Sequence, residues 1–174
     1  MAAPAQTTRI PLEVYLSTSW EPDAEYVDGV IEERPKGEWS HADWQAAVVE
    51  FFRNRRKEWN IRVALELRVQ VTPDNFRVPD VTVLDRNQPV EQIITRPPIA
   101  VIEILSPEDS LSRMLKKLRE YQQMGIQTIL ILNPGGDDHY RFSAFGLMPL
   151  TETAFNLPGS SSRFDLDEIK KLLD

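Results

Sequence analysis

Ile99-Ala100-Val101-Ile102-Glu103-Ile104-Leu105 is an apolar run of seven residues with one carboxylate set in it. A run of this length has no polar face to offer water, so it predicts a central strand covered on both sides. Ser106-Pro107-Glu108-Asp109-Ser110 opens a helix whose apolar positions, Leu111, Met114, Leu115, Leu118 and Tyr121, keep helical spacing, and Gly125 is placed to cap its end. A second buried strand follows at Thr128 to Leu132. Strand, helix, strand is a βαβ unit, which demands a parallel pair and a right-handed crossover. The fold class expected is α/β, a mixed central sheet flanked by helices.

Upstream of the run, residues 86–98 carry Asn87, Pro89, Pro97 and Pro98 and read as a loop. From Ile61 to Val71 apolar and polar residues alternate, predicting one long half-exposed strand, and the turn Thr72-Pro73-Asp74-Asn75 sends Arg77 to Asp85 back antiparallel to it. Ser40-His41-Ala42-Asp43 reads as a capping box for a helix running to about Glu58, with Trp44, Ala47, Val48, Phe51 and Phe52 as its buried stripe. Asp28-Gly29, between Tyr26-Val27 and Val30-Ile31, signals a hairpin because both turn positions want positive φ. Pro11 to Ser17 could form a short helix, and residues 1–10 lack periodicity and are expected to be a mobile arm. Downstream, Tyr140 to Phe145 predicts an edge strand and Asp165 to Leu173 a short amphipathic helix.

The length of 174 residues suits one core, so residues 11–174 are expected to be a single domain. Apolar runs fall short of the ~18 residues of a membrane span, no disulfide can form without cysteine, and a cytoplasmic location without membrane contact is expected. A net charge of −7 argues against broad nucleic-acid binding, which is driven by release of counterions to a basic surface. Glu21, Asp23, Glu25, Asp28, Glu32, Glu33 and Glu38 concentrate the acidity early in the chain. Basic residues cluster at Arg53/Arg55/Arg56/Lys57 and Arg113/Lys116/Lys117/Arg119, each explicable as a solvated helix face. The sequence lacks a Walker phosphate loop, a dinucleotide fingerprint and a serine elbow.

A carboxylate in mid-strand is costly to bury unless a cation or hydrogen bonds compensate it. Glu103 therefore needs a partner, either a basic residue of the next helix or a metal. Asp80 lies early in a strand expected to run beside that of Glu103, so the two acids could converge; alone, Asp80 is equally explained as a turn aspartate. Two hard oxygen ligands with room for water and phosphate suit Mg²⁺ or Mn²⁺.

Val78-Pro79-Asp80-Val81, then Val101-Ile102-Glu103-Ile104-Leu105-Ser106-Pro107, then Lys117-Leu118-Arg119-Glu120-Tyr121 with Gly125, resemble the signatures of the Uma-type restriction endonucleases, a branch of the PD-(D/E)XK nucleases. Glu25-Tyr26-Val27-Asp28-Gly29 and His41 also fall where that family has an early strand-turn and a helix start, and the resemblance spans roughly residues 11–146. It implies a restriction-endonuclease-like fold and a Mg²⁺- or Mn²⁺-dependent endonuclease acting on DNA. Asp80, Glu103 and the main-chain carbonyl of Ile104 would hold the ion. The lysine that usually follows the second acid by two residues is replaced by Leu105; the family's basic residue lies on the following helix, here Lys117, which would orient or help deprotonate water. A departure occurs at Arg113, where the family often has an acid. Glu33 and Glu66 are further acids near this region, and each is explicable as an exposed strand residue. His41 could assist from its helix start, where the dipole disfavours its charged form, whereas His139 has no ligand spacing with it. A homodimer is expected because cutting two strands wants two sites. Leu105 and Arg113 keep a second class open, a nuclease-fold binding module without catalysis. A third, a structural oligomer, would expose an apolar patch around Trp20, Trp39 or Phe145.

Overall fold

Hydrophobic burial on both faces and a βαβ crossover determine the centre of the molecule. A computed structural model describes residues 8–21, 23–34 and 37–174. In chain order its elements are helix α1 (Leu12–Ser17), strands β1 (Ala24–Val27) and β2 (Val30–Glu33), helix α2 (Trp39–Asn54), then strands β3 (Ile61–Leu65), β4 (Val69–Thr72), β5 (Asn75–Arg77), β6 (Val81–Asp85) and β7 (Ala100–Ile104). Helix α3 (Leu111–Met124) follows, then β8 (Thr128–Leu132), β9 (Tyr140–Ser143), β10 (Gly146–Pro149), β11 (Ala154–Asn156), β12 (Arg163–Asp165) and helix α4 (Leu166–Lys170).

The main sheet has the order β10-β9-β8-β7-β6-β3, with β7 and β8 parallel and the other pairs antiparallel. All five residues of β7 and of β8 are buried, as the apolar runs predicted. Strand alternation then assigns the faces. Ile102, Ile104, Val81 and Val83 pack with Trp44, Val48, Phe51 and Phe52 of α2 and Ile169 of α4. Val101, Ile129 and Ile131 pack with Met114, Leu118 and Tyr121 of α3. Glu103, two residues on from Val101, consequently belongs to the α3 face. Gly125 ends α3 at φ 99°, the left-handed cap expected of it.

A second sheet, β2-β1-β5-β4, carries the early hairpin, whose turn residues Asp28 and Gly29 both have positive φ. Tyr15 of α1 stacks on Tyr26 at 5.0 Å between ring centres and joins Phe76 in a small aromatic core of this sheet. Of the arm expected at residues 1–10, residues 1–7 lie outside those described. Ile10 donates its amide to Gly29 (2.9 Å), and its carbonyl accepts the Tyr26 hydroxyl (2.8 Å).

Several expectations are corrected. The strand expected from Ile61 to Val71 is two: Glu66 turns left-handed (φ 49°), so β3 pairs with β6 in the main sheet and β4 with β5 in the second. Each half keeps a buried face, and so alternation runs on across the break. The return strand from Arg77 to Asp85 divides likewise into β5 and β6, leaving Val78, Pro79 and Asp80 between sheets. Helix α2 begins at Trp39 with Glu38 as an N-cap that makes no side-chain bond; it ends at Asn54, so Ser40 caps nothing. Strand β9 is not an edge, because β10 folds back on it and β8 flanks its other side. The small β11–β12 hairpin was not expected. Trp20 belongs to no exposed patch, since it packs on the aromatic core and donates to the Tyr15 carbonyl (3.1 Å).

Candidate active site

The register Val81↔Ile102 and Thr82↔Val101, carried one residue further, sets Asp80 opposite Glu103. Opposed residues of an antiparallel pair share a face. Asp80 and Glu103 therefore point to the same side, and both line one cavity of about 220 Å³ with Lys117, Ile104 and His41. Where β6 stops pairing, the Asp80 carboxylate takes over the ladder: its Oδ2 accepts the Ile104 amide at 2.7 Å.

Lys117 projects from α3 onto Glu103, with its Nζ 2.9 Å from both carboxylate oxygens and 2.8 Å from Oε1 of Glu25. Tyr121, one helical turn on, donates its hydroxyl to Glu103 Oε1 at 2.6 Å. Burial raises Glu103 to about 7, and the neighbouring charges of Asp80 and Glu25 add to that, although Lys117 and Tyr121 oppose it. Burial works against the charge of Lys117, yet Glu103, Glu25 and Asp80 outweigh it and hold the ammonium above its ordinary pKa.

Asp80 is 4% exposed and surrounded by donors. Oδ1 meets Nη2 of Arg34 at 2.6 Å and Oδ2 meets Nε2 of His41 at 3.3 Å. Burial alone would raise its pKa; the His41 hydrogen bond and the charges of Lys117 and Arg34 prevail, and Asp80 is held below the usual carboxylate range. The same hydrogen bond raises His41 against burial. The expectation that the helix start would disfavour its charged form is therefore corrected: a carboxylate at contact distance outweighs partial charges at a helix end.

Behind this pair lies a buried network that the sequence reading did not assign. Glu25 of β1 accepts from Lys117, from Arg77 Nη1 (2.9 Å) and from the Val78 amide (3.0 Å). Arg77 of β5 is 1% exposed and reaches Glu120 of α3 at 2.5 Å. Glu25 is held ionised by Lys117 and Arg77 despite burial. The available signal was the one that singled out Glu103: Glu25 stands among Ala24, Tyr26 and Val27, and Arg77 between Phe76 and Val78, charges set in apolar strands. Arg34 offered no such signal, because it follows a strand with an exposed end.

Glu33, Glu66 and Arg113 reach the cavity wall. Glu66 is bound to Arg34 at 3.2 Å, and Arg113 lies 3.4 Å from Glu32. His139 is buried elsewhere, its Nδ1 accepting the Asn133 amide (3.1 Å) and its ring 5.2 Å from that of Trp44. Among the described residues no three His, Cys, Asp or Glu side chains converge to hold a metal ion. A divalent ion would have Asp80, Glu103 and main-chain oxygen available, hard donors suited to magnesium or manganese.

The family model described as "Uma2: Putative restriction endonuclease" matches residues 12–144. No curated protein matches the chain. Among solved structures, "a putative nuclease belonging to DUF820" from Anabaena variabilis ATCC 29413 is similar in fold, with a TM-score of 0.78 at 23% identity over 95% of this chain and 99% of that one. A cryo-EM structure of a DrdV–DNA complex aligns over 74% of this chain and 11% of that one, at 13% identity and a TM-score of 0.41.

Proposed function

The chain belongs to the Uma2 family of restriction-endonuclease-like proteins, and from that premise we propose that it is a Mg²⁺- or Mn²⁺-dependent endonuclease hydrolysing phosphodiester bonds in DNA at the cavity of Asp80, Glu103 and Lys117. The observation that carries the reading is Lys117: a buried ammonium 2.9 Å from Glu103, in the cavity lined by Asp80, supplies the charge that Leu105 lacks. A lysine pointing into solvent would have favoured a binding module.

Asp80, Glu103 and the carbonyl of Ile104 would hold the ion. The amide and carbonyl of one strand residue leave on the same edge, so the carbonyl of Ile104 looks toward the carboxylate that its amide already meets. The chemistry a divalent ion supplies there is Lewis-acid stabilisation of the phosphate and activation of water. Lys117, held charged by three carboxylates, enters as an ammonium; it therefore orients water and stabilises developing negative charge, and does not remove the proton. Glu25 fixes Lys117 from behind, and Tyr121 fixes Glu103. The cavity is local, which suits an acidic protein that contacts DNA over a limited surface. The proposal includes a homodimer, to be checked by light scattering as a particle of twice 20.0 kDa.

The test is cleavage of supercoiled and linear DNA with Mg²⁺ or Mn²⁺. Asp80→Asn and Glu103→Gln, each verified as folded, are expected to lower the rate by about a thousandfold, the scale of losing electrostatic stabilisation at the reacting phosphate. Undiminished cutting by either variant, or no cutting of any DNA form by the wild type, contradicts the reading.

A further inference from the structure

Arg34 follows β2 and extends over the cavity, its side chain 14% exposed. Its guanidinium is divided between two acids, with Nη2 2.6 Å from Asp80 Oδ1 and Nη1 3.2 Å from Glu66 Oε1. Oδ2 of Asp80 is occupied twice, by the Ile104 amide at 2.7 Å and by Nε2 of His41 at 3.3 Å. The oxygen that Arg34 covers is thus the one left for any other cation.

A divalent ion sits about 2.1 Å from a carboxylate oxygen. With the guanidinium nitrogen already at 2.6 Å, the two positive charges would repel strongly in a partly dehydrated cavity. One must yield. Glu66 offers Arg34 somewhere to stay: the left-handed turn at φ 49° carries Glu66 off the line of β3, its amide meets the Asp80 carbonyl at 3.3 Å, and Gln45 bridges that carbonyl (3.0 Å) to the Glu66 carboxylate (3.4 Å). Nη1 can remain on Glu66 while Nη2 turns from Asp80 into the cavity, and a guanidinium presented there matches the paired oxygens of a phosphate.

We propose that Arg34 is a ligand for the substrate phosphate, stored on Asp80 in the cation-free protein and handed over when a divalent ion takes that carboxylate. The idea rests on the nuclease reading of Asp80 and Glu103. It names Arg34 as the residue that couples loading of the ion to recognition of an anionic backbone.

Two binding measurements on the whole chain test it: calorimetric titration with Mn²⁺, and fluorescence anisotropy of a labelled duplex in Ca²⁺ to suppress cleavage. Arg34→Gln should bind Mn²⁺ about tenfold more tightly, because its competitor is gone, and bind the duplex about tenfold more weakly. Arg34→Lys keeps a cation beside Asp80 and guards against misfolding; it should leave Mn²⁺ affinity near wild type and still weaken the duplex, having lost the fork. Unchanged or weaker Mn²⁺ binding by Arg34→Gln, or duplex affinity equal to wild type in both variants, overturns the proposal. If Glu103→Ala abolishes Mn²⁺ binding while Arg34→Gln leaves it unaltered, only this inference fails; if neither variant alters it, the nuclease reading fails as well.

Discussion

A carboxylate in the middle of an aliphatic strand can be kept neutral, paired with a side-chain cation, or paired with a bound one, and Glu103 combines the first two. Lys117 and Tyr121 bind it, while burial keeps its pKa at about 7. A divalent ion held as proposed by Asp80 and Glu103 would coordinate only the ionised carboxylate, so its binding would compete with the proton on Glu103. Mn²⁺ affinity should therefore be nearly level above pH 7 and fall toward tenfold per unit below it. His41, raised by Asp80, adds positive charge on the same acidic side and steepens the fall. Calorimetry at pH 6 in buffers of different ionisation enthalpy should register one proton or more released per ion, the excess over one coming from His41, and little release at pH 8.5; an affinity that stays constant between pH 6 and 8 would contradict a shared ion on Glu103. The convergence of Asp80 and Glu103 was legible from residue type and strand order, and that of Lys117 only through the resemblance to the Uma-type signatures. Glu25 and Arg77 carried the same signal, a charge among apolar strand residues, but nothing local told which site they serve, because the docking of the second sheet against α3 leaves no periodic trace; Arg34, just past the end of β2, carried none.

Among the elements, those defined by unbroken local patterns were readable and those defined by a single backbone reversal were not. Strand β7, helix α3 and strand β8 follow the apolar run, the helical spacing and the glycine cap almost to the residue. The bend at Glu66 was hidden, since the side chains on either side continue to alternate while the strand passes from one sheet to the other. The bend brings Glu66 to the cavity. The cap of α3 gives a clean stability test. Gly125→Ala meets Pro97 Cγ only at an ordinary 3.5 Å, so its cost should come from φ 99° alone. About 1–2 kcal/mol of destabilisation by urea unfolding is expected, with activity per folded molecule unchanged. A neutral result would mean that the cap does not constrain α3, and that Lys117 is held by its partners alone.

At the scale of the molecule, two sheets and two helices converge on one acidic cavity. Strand β7 brings Glu103, the end of the second sheet leads into Asp80, α3 brings Lys117 and α2 brings His41. The family match over residues 12–144 nearly coincides with the span of roughly 11–146 over which the signatures carried the resemblance. No helix among the described residues is long and apolar enough to cross a membrane. Whether Asp80 and Glu103 jointly hold a divalent ion, as proposed, is decided by calorimetric titration of Mn²⁺ into wild type and Glu103→Ala at pH 8. The wild type should show a saturable site that Glu103→Ala, still folded by circular dichroism, abolishes. Identical isotherms for the two proteins would contradict it.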